Sequence, residues 1–145
     1  MTTLALVSGD DDRPARIEDV HELATALPGV VVGGDDEHPA YEIGGKAFVF
    51  FRPPRKDAVD PETGQRYTDV VAFHVESEAD KQALVRDEST PFFTTPHWNG
   101  YRAVLLLARD AGRLSRSELA EIVQDAWLAR APKRQVAAWR AARQP

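Results

Sequence analysis

Residues 94–101 read TTPHWNGY and lead directly into the apolar segment AVLLL at residues 103–107. Pro96 removes a backbone donor and Gly100 allows a tight turn, whereas the residues that follow favour β-structure. The stretch therefore predicts a turn followed by a strand. Residues 92–93 predict a further strand before that turn.

More strands are predicted upstream. Residues 41–43 and 47–51 resemble a β-hairpin that closes on Gly44 and Gly45, where a positive φ angle costs little. The β-branched runs at residues 30–32 and 70–75 predict two others. Short turns between consecutive strands favour antiparallel pairing.

Helices are predicted before, between and after the strands. Apolar residues recur at helical spacing over residues 16–27, and Ser77 can cap a helix that runs from about residue 78 to residue 86 or beyond. Ser115 and Glu118 form a capping-box pattern ahead of a third helix, and Pro132 separates that helix from a basic C-terminal one. The predicted class is α+β: one antiparallel sheet with helices packed on one face.

Composition indicates a single globular domain. The chain has 145 residues, 28% of them charged, with no cysteine and a net charge of −5. Disulfides and cysteine metal sites are therefore excluded. We expect a flexible acidic start at residues 1–13, an α+β domain at 14–131 and a basic helical extension at 132–145.

The charge is unevenly distributed. Residues 113–145 carry seven basic and three acidic side chains, a net charge of +4, so the rest of the chain carries −9. A uniformly acidic protein binds nucleic acid poorly because phosphate contacts drive that affinity. A polarised one is not excluded. The N-terminus lacks a cationic start, so it does not read as a signal peptide, and we expect a cytoplasmic protein that does not span a membrane.

Several short motifs occur in series. They are LPG at residues 27–29, YEIGGKAF at 41–48, FHV at 73–75, the segment 92–104 with its His97-Trp98 pair, and Glu118-Leu119 with Ile122. In this order and spacing the chain resembles the MmcQ/YjbR family over residues 17–127. Ala126-Trp127 stands where the family has a serine and a tyrosine. The resemblance implies a CyaY-like sandwich with a double-wing motif, predicted DNA binding, and signature positions at Gly44, Gly45, His97 and Trp98.

The basic residues of the long loop at 52–68 are the first candidates for DNA contact. Four cations, Arg52, Arg55, Lys56 and Arg66, follow a strand pair as a wing would. Lys46 at the hairpin turn, and Lys133 and Arg134 in the C-terminal helix, are further candidates. The alternatives are a solvated loop, glycines that only set the turn, and a C-terminal helix that docks on the domain or meets its acidic remainder or a partner.

Catalysis finds less support. His97 beside Trp98 could pair an acid/base group with a stacking ring, but no partner for a triad lies at a recognisable spacing. The competing interpretation has Trp98 buried and His97 holding the turn through a hydrogen bond. The four histidines are scattered, so neither a metal site nor a cofactor is expected. We therefore expect a non-catalytic DNA-binding protein. The alternative is an adaptor of the same fold that binds a protein or small ligand through the Trp98 and Tyr101 region and the long loop.

Overall fold

The computed structural model describes residues 12–143 and contains one five-stranded antiparallel sheet. The strands, in both chain and spatial order, are β1 (Val31–Gly34), β2 (Pro39–Ile43), β3 (Lys46–Arg52), β4 (Val70–His74) and β5 (Ala103–Leu107). The helices are α1 (Asp19–Thr25), α2 (Glu78–Arg86), α3 (Arg116–Arg130) and α4 (Lys133–Arg143). The predicted α+β class is confirmed.

The segment before β5 differs from its prediction. Residues 92–93 do not form a strand; only Phe93 pairs, through two backbone hydrogen bonds of 2.9 Å with Leu105. Pro91, two residues before Phe93, lacks the amide donor that the next bonded pair of an antiparallel ladder needs, so the ladder does not extend in that direction. Pro96–Trp98 is a 3-10 turn, and β5 begins at Ala103.

One face of the sheet is covered by helices. Helix α3 lies on β3 and β4, and α1 packs against α3. Trp127 of α3 is fully buried there, and its indole Nε1 donates to the Pro28 carbonyl at 3.1 Å. We call this the helix-side core; it takes Phe48, Val49 and Phe73 from the sheet.

The opposite face carries a second, smaller core. Trp98 and Ala58 cover side chains of β4 and β5 there, namely Val70, Ala72, Ala103, Leu105 and Leu107. We call this the loop-side core, because a turn and a loop cover it. Strands β4 and β5 are consequently buried on both faces.

A β-bulge in β3 decides which residues reach each face. Tyr41 pairs with Val49 and Glu42 with Ala47, so Phe48 has no partner on β2. Phe48 and Val49 both enter the helix-side core, and the alternation of β3 is reversed after them. Phe50 and Arg52 therefore face the loop side.

The basic C-terminal helix α4 docks on the domain. Trp139 is buried and its ring lies 5.9 Å from that of Trp127, while the Arg143 guanidinium lies 3.8 Å above the Trp139 ring. The predicted flexible start falls mostly on residues 1–11, which lie outside the described residues. Asp12 is anchored, since its carboxylate accepts from the Ser117 amide at 2.9 Å. No helix within residues 12–143 has the length and apolarity of a membrane span.

We predict that Trp139→Ala lowers the free energy of unfolding by about 3 kcal/mol, because it removes a large buried side chain from the helix-side core. Urea unfolding followed by circular dichroism measures the change. Arg134→Ala, an exposed substitution on the same helix, is the control and should change stability by less than about 0.5 kcal/mol. Equal stability of the two variants would show that α4 is not held through Trp139.

Candidate functional site

A recess lies on the loop side of the sheet beside Trp98. It has a volume of about 1130 Å³ and is formed by β3, β4, the start of β5, the loop after β3 and the end of α3. We call it the cationic recess. Its charged, aromatic and histidine lining residues are Phe50, Arg52, Arg55, Lys56, Asp57, Arg66, His74, His97, Trp98, Tyr101, Arg102 and Arg130.

The charge of the recess opposes that of the whole protein. Six Arg or Lys side chains and one acid line it, a net charge of +5, whereas the chain carries −5. The acid, Asp57, receives two hydrogen bonds from the Arg52 guanidinium at 3.0 and 3.1 Å. This bonding holds the pKa of the Asp57 carboxyl below its usual range. The other five cations form no salt bridge with any of residues 12–143.

Arg52 has a different position from the other predicted phosphate contacts. Its side chain is only 8% exposed, and its guanidinium lies 4.9 Å from the centre of the Trp98 ring. With Asp57 on one side and Trp98 on the other, Arg52 builds the wall of the recess. Arg55, Lys56 and Arg66 are exposed and present their charges to solvent.

The loop after β3 folds back on itself. Val59 and Arg66 form an antiparallel bridge, and the Tyr67 amide donates to the Ala58 carbonyl at 3.0 Å. Ala58 is buried in the loop-side core, so the loop is fixed to the sheet. The predicted wing is therefore a short hairpin that carries Arg66, with Arg55 and Lys56 at its base.

Two aromatic rings form a step at the recess. Trp98 is buried, whereas Tyr101 is 59% exposed. Their ring centres are 5.6 Å apart in an edge-to-face arrangement. The interpretation in which Trp98 fills the core agrees with this burial. His97 is exposed, and its side chain makes no hydrogen bond with any residue of the described region, so His97 does not hold the turn.

A buried lysine of α2 fixes this aromatic turn. Lys81 is 1% exposed, and its Nζ donates to the carbonyls of Trp98 and Tyr101 at 2.7 and 2.8 Å. A buried ammonium is costly unless it is well hydrogen-bonded. Lys81 was not a sequence-based candidate, because a single lysine in a polar helix is indistinguishable from a solvated one.

His74 lies at the end of the recess that faces α3. Burial, together with the nearby charges of Arg130, Arg102 and Lys46, lowers the pKa of His74 from 6.5 to about 4. The imidazole is thus neutral at pH 7. Arg102 and Arg130 were not predicted as site residues either, and Arg130 Nε is buried without an acceptor among residues 12–143.

A second recess of about 700 Å³ adjoins the β2–β3 hairpin and α4. Lys46 and Lys133 line it with Arg130 and Arg140, and Arg130 lines both recesses. The predicted basic residues are thus divided between the two recesses, except Arg134, which lines neither. Gly44 and Gly45 adopt φ angles of 60° and 80° at the hairpin turn.

The described region contains no cluster of three or more His, Asp or Glu side chains that could hold a metal ion. The polar groups of the cationic recess are almost all donors rather than acceptors. Such a surface is suited to binding an anion.

We predict that Asp57→Asn lowers the free energy of unfolding by about 3 kcal/mol, because it leaves the Arg52 guanidinium buried without a counter-charge. Urea unfolding measures the loss. Glu62→Gln removes an exposed charge from the same loop and should have no measurable effect. If Asp57→Asn is as stable as Glu62→Gln, burial of the Arg52 guanidinium does not require the ion pair with Asp57.

The chain was compared with known proteins. The YjbR family model matches residues 25–129. Uncharacterized proteins from two strains of Mycobacterium tuberculosis and from Mycobacterium bovis are each 31% identical over 126 residues, which cover 81% of this chain and 92% of theirs. No solved structure matches. The matched region includes both strands of the hairpin, the aromatic turn and most of α3, and the protein belongs to the YjbR family.

Proposed function

We propose that this protein is a non-catalytic DNA-binding protein that holds the phosphate backbone in the cationic recess. One observation carries the proposal: a recess with a net charge of +5 in a protein of net charge −5. An acidic protein repels nucleic acid on most of its surface, so attraction depends on where its cations are concentrated.

The availability of these cations supports the proposal. Asp57 already pairs with Arg52, which leaves Arg55, Lys56, Arg66, Arg102 and Arg130 without carboxylate partners in the described region. These side chains come from three separate parts of the chain and line one surface. Phosphate groups at the spacing of a DNA backbone could be contacted by several of them together.

Two hairpins are consistent with a double-wing arrangement. The Gly44-Gly45 turn carries Lys46 beside the second recess, and the short hairpin at residues 58–67 carries Arg66 beside the first. Arg130 lines both recesses and connects the two basic surfaces. In this proposal the two hairpins flank the bound backbone, and Lys133 adds a contact from α4.

The concave shape supports a second candidate, an adaptor that binds a small anionic ligand. A volume of about 1130 Å³ and the presence of Phe50 and Trp98 beside the cations would suit a compact aromatic anion. The two candidates differ in their response to competitors. A small anion at micromolar concentration would displace DNA only if the recess is primarily a small-ligand site.

We predict that reversing the charges of Arg55 and Lys56 together, to glutamate, weakens DNA binding by at least about tenfold at low salt. Two lost phosphate contacts should reduce the slope of log K against log[salt] by about 2. Fluorescence anisotropy of a labelled DNA, titrated at several salt concentrations, measures both quantities.

The matched control is the double variant Arg86→Glu and Arg113→Glu. It changes the net charge by the same amount at exposed positions outside both recesses. If the control weakens binding as much as the recess variant, net charge rather than the recess governs the interaction. Absence of binding by the unaltered protein at about 50 mM salt would reject the proposed function.

His74 gives an independent prediction. Its pKa of about 4 in the free protein should rise when DNA is bound, because phosphates offset the charges of Arg102 and Arg130. NMR titration of the histidine ring protons measures both values. The pKa of His74 is 6.5 in the unfolded chain and about 4 in the folded protein. As the pH falls through this range, the unfolded chain binds a proton that the folded protein does not, so the free energy of unfolding decreases. An unchanged pKa in the complex would place DNA away from the end of the recess that holds His74.

A further inference from the structure

We infer that the cationic recess selects single-stranded DNA over duplex DNA, and that Tyr101 is the platform on which an unpaired base stacks. This inference rests on the proposed function, because it names the form of nucleic acid that the same recess takes. It is carried by the position, exposure and anchoring of Tyr101.

Among the phenylalanine, tyrosine and tryptophan residues at positions 12–143, Tyr101 is the only one whose side chain is exposed. More than half of its surface is accessible, while Trp98 is 92% buried beneath the same turn. Most of the apolar surface of this ring therefore remains in water, where it adds little to the stability of the fold. At the edge of a cationic recess, such a ring has the composition of a base-stacking site.

The backbone of Tyr101 is held rigidly although its ring is exposed. Its amide donates to the Trp98 carbonyl at 3.0 Å, and its carbonyl accepts from Lys81 Nζ at 2.8 Å and from the Ala103 amide at 2.9 Å. A buried lysine thus fixes an exposed tyrosine. Ordering of the platform before a ligand arrives reduces the entropy that binding must offset.

The geometry of the recess disfavours a duplex. In double-stranded DNA the faces of the bases are covered by their neighbours, and only base edges are open in the grooves. Tyr101 at the edge of the recess can stack only on a base whose face is uncovered, and a duplex offers no such face along its length. An unpaired base has a free face, and its phosphate can lie against Arg102, which neighbours Tyr101 and lines the same recess.

The test compares a labelled single strand of about 12 nucleotides with a duplex of the same sequence, by anisotropy at low salt. We expect the unaltered protein to bind the single strand at least about tenfold more tightly. Tyr101→Ala should weaken single-strand binding about tenfold, the size of one lost stacking contact, and leave duplex binding unchanged. Tyr101→Phe keeps the ring and should bind as the unaltered protein does.

The outcomes separate this inference from the proposed function. Duplex binding that equals or exceeds single-strand binding, and that Arg55→Glu with Lys56→Glu abolishes, would overturn the inference and leave DNA binding intact. Single-strand binding that Tyr101→Ala does not change would overturn the stacking role. Failure to bind either DNA would reject both the function and the inference. Circular dichroism of each variant confirms that a loss of binding is not a loss of fold.

Discussion

The extra residue in β3 at Phe48 governs which side chains reach each face of the sheet. Without it, strict alternation would turn Arg52 toward the helix-side core, where an unpaired guanidinium is unfavourable, and would turn Phe51 toward the recess. The bulge instead puts two adjacent apolar residues under α3 and sends Phe50 and Arg52 to the opposite face. The wall of the recess, its ion pair with Asp57 and the support beneath Trp98 all follow from this shift in register.

The charged residues of the recess fall into two groups, one paired inside the wall and one exposed to solvent. Arg52 and Asp57 neutralise each other inside the wall, so their contribution is structural, whereas Arg55, Lys56 and Arg66 keep their charges available. His74 reports the resulting field, since its lowered pKa arises partly from the cations around it. The rest of the chain is acidic, so an anion is disfavoured elsewhere on the protein.

How far the sequence could predict these features depends on how local their causes are. The start of the helix Glu78–Arg86 was predicted from the sequence, because Ser77 caps it through the Asp80 amide, a contact within one turn. The cations of the long loop were found because they are close together in sequence. Arg102, Arg130 and His74 were not, since they meet only after β4, β5 and α3 have assembled. The burial of Lys81 and the bulge at Phe48 likewise depend on long-range packing, which a short sequence pattern does not predict.

The two-sided burial of β4 and β5 also affects what happens to the protein after it unfolds. Ala103–Leu107 is an uncharged, strongly apolar strand, bounded by Arg102 and Arg109, which act as gatekeepers in the unfolded chain. Once the sheet opens, this segment has the composition that favours intermolecular β-pairing. Heating would then end in aggregation rather than in a reversible equilibrium, so the lifetime of the folded state, set by its unfolding rate, would define its practical stability.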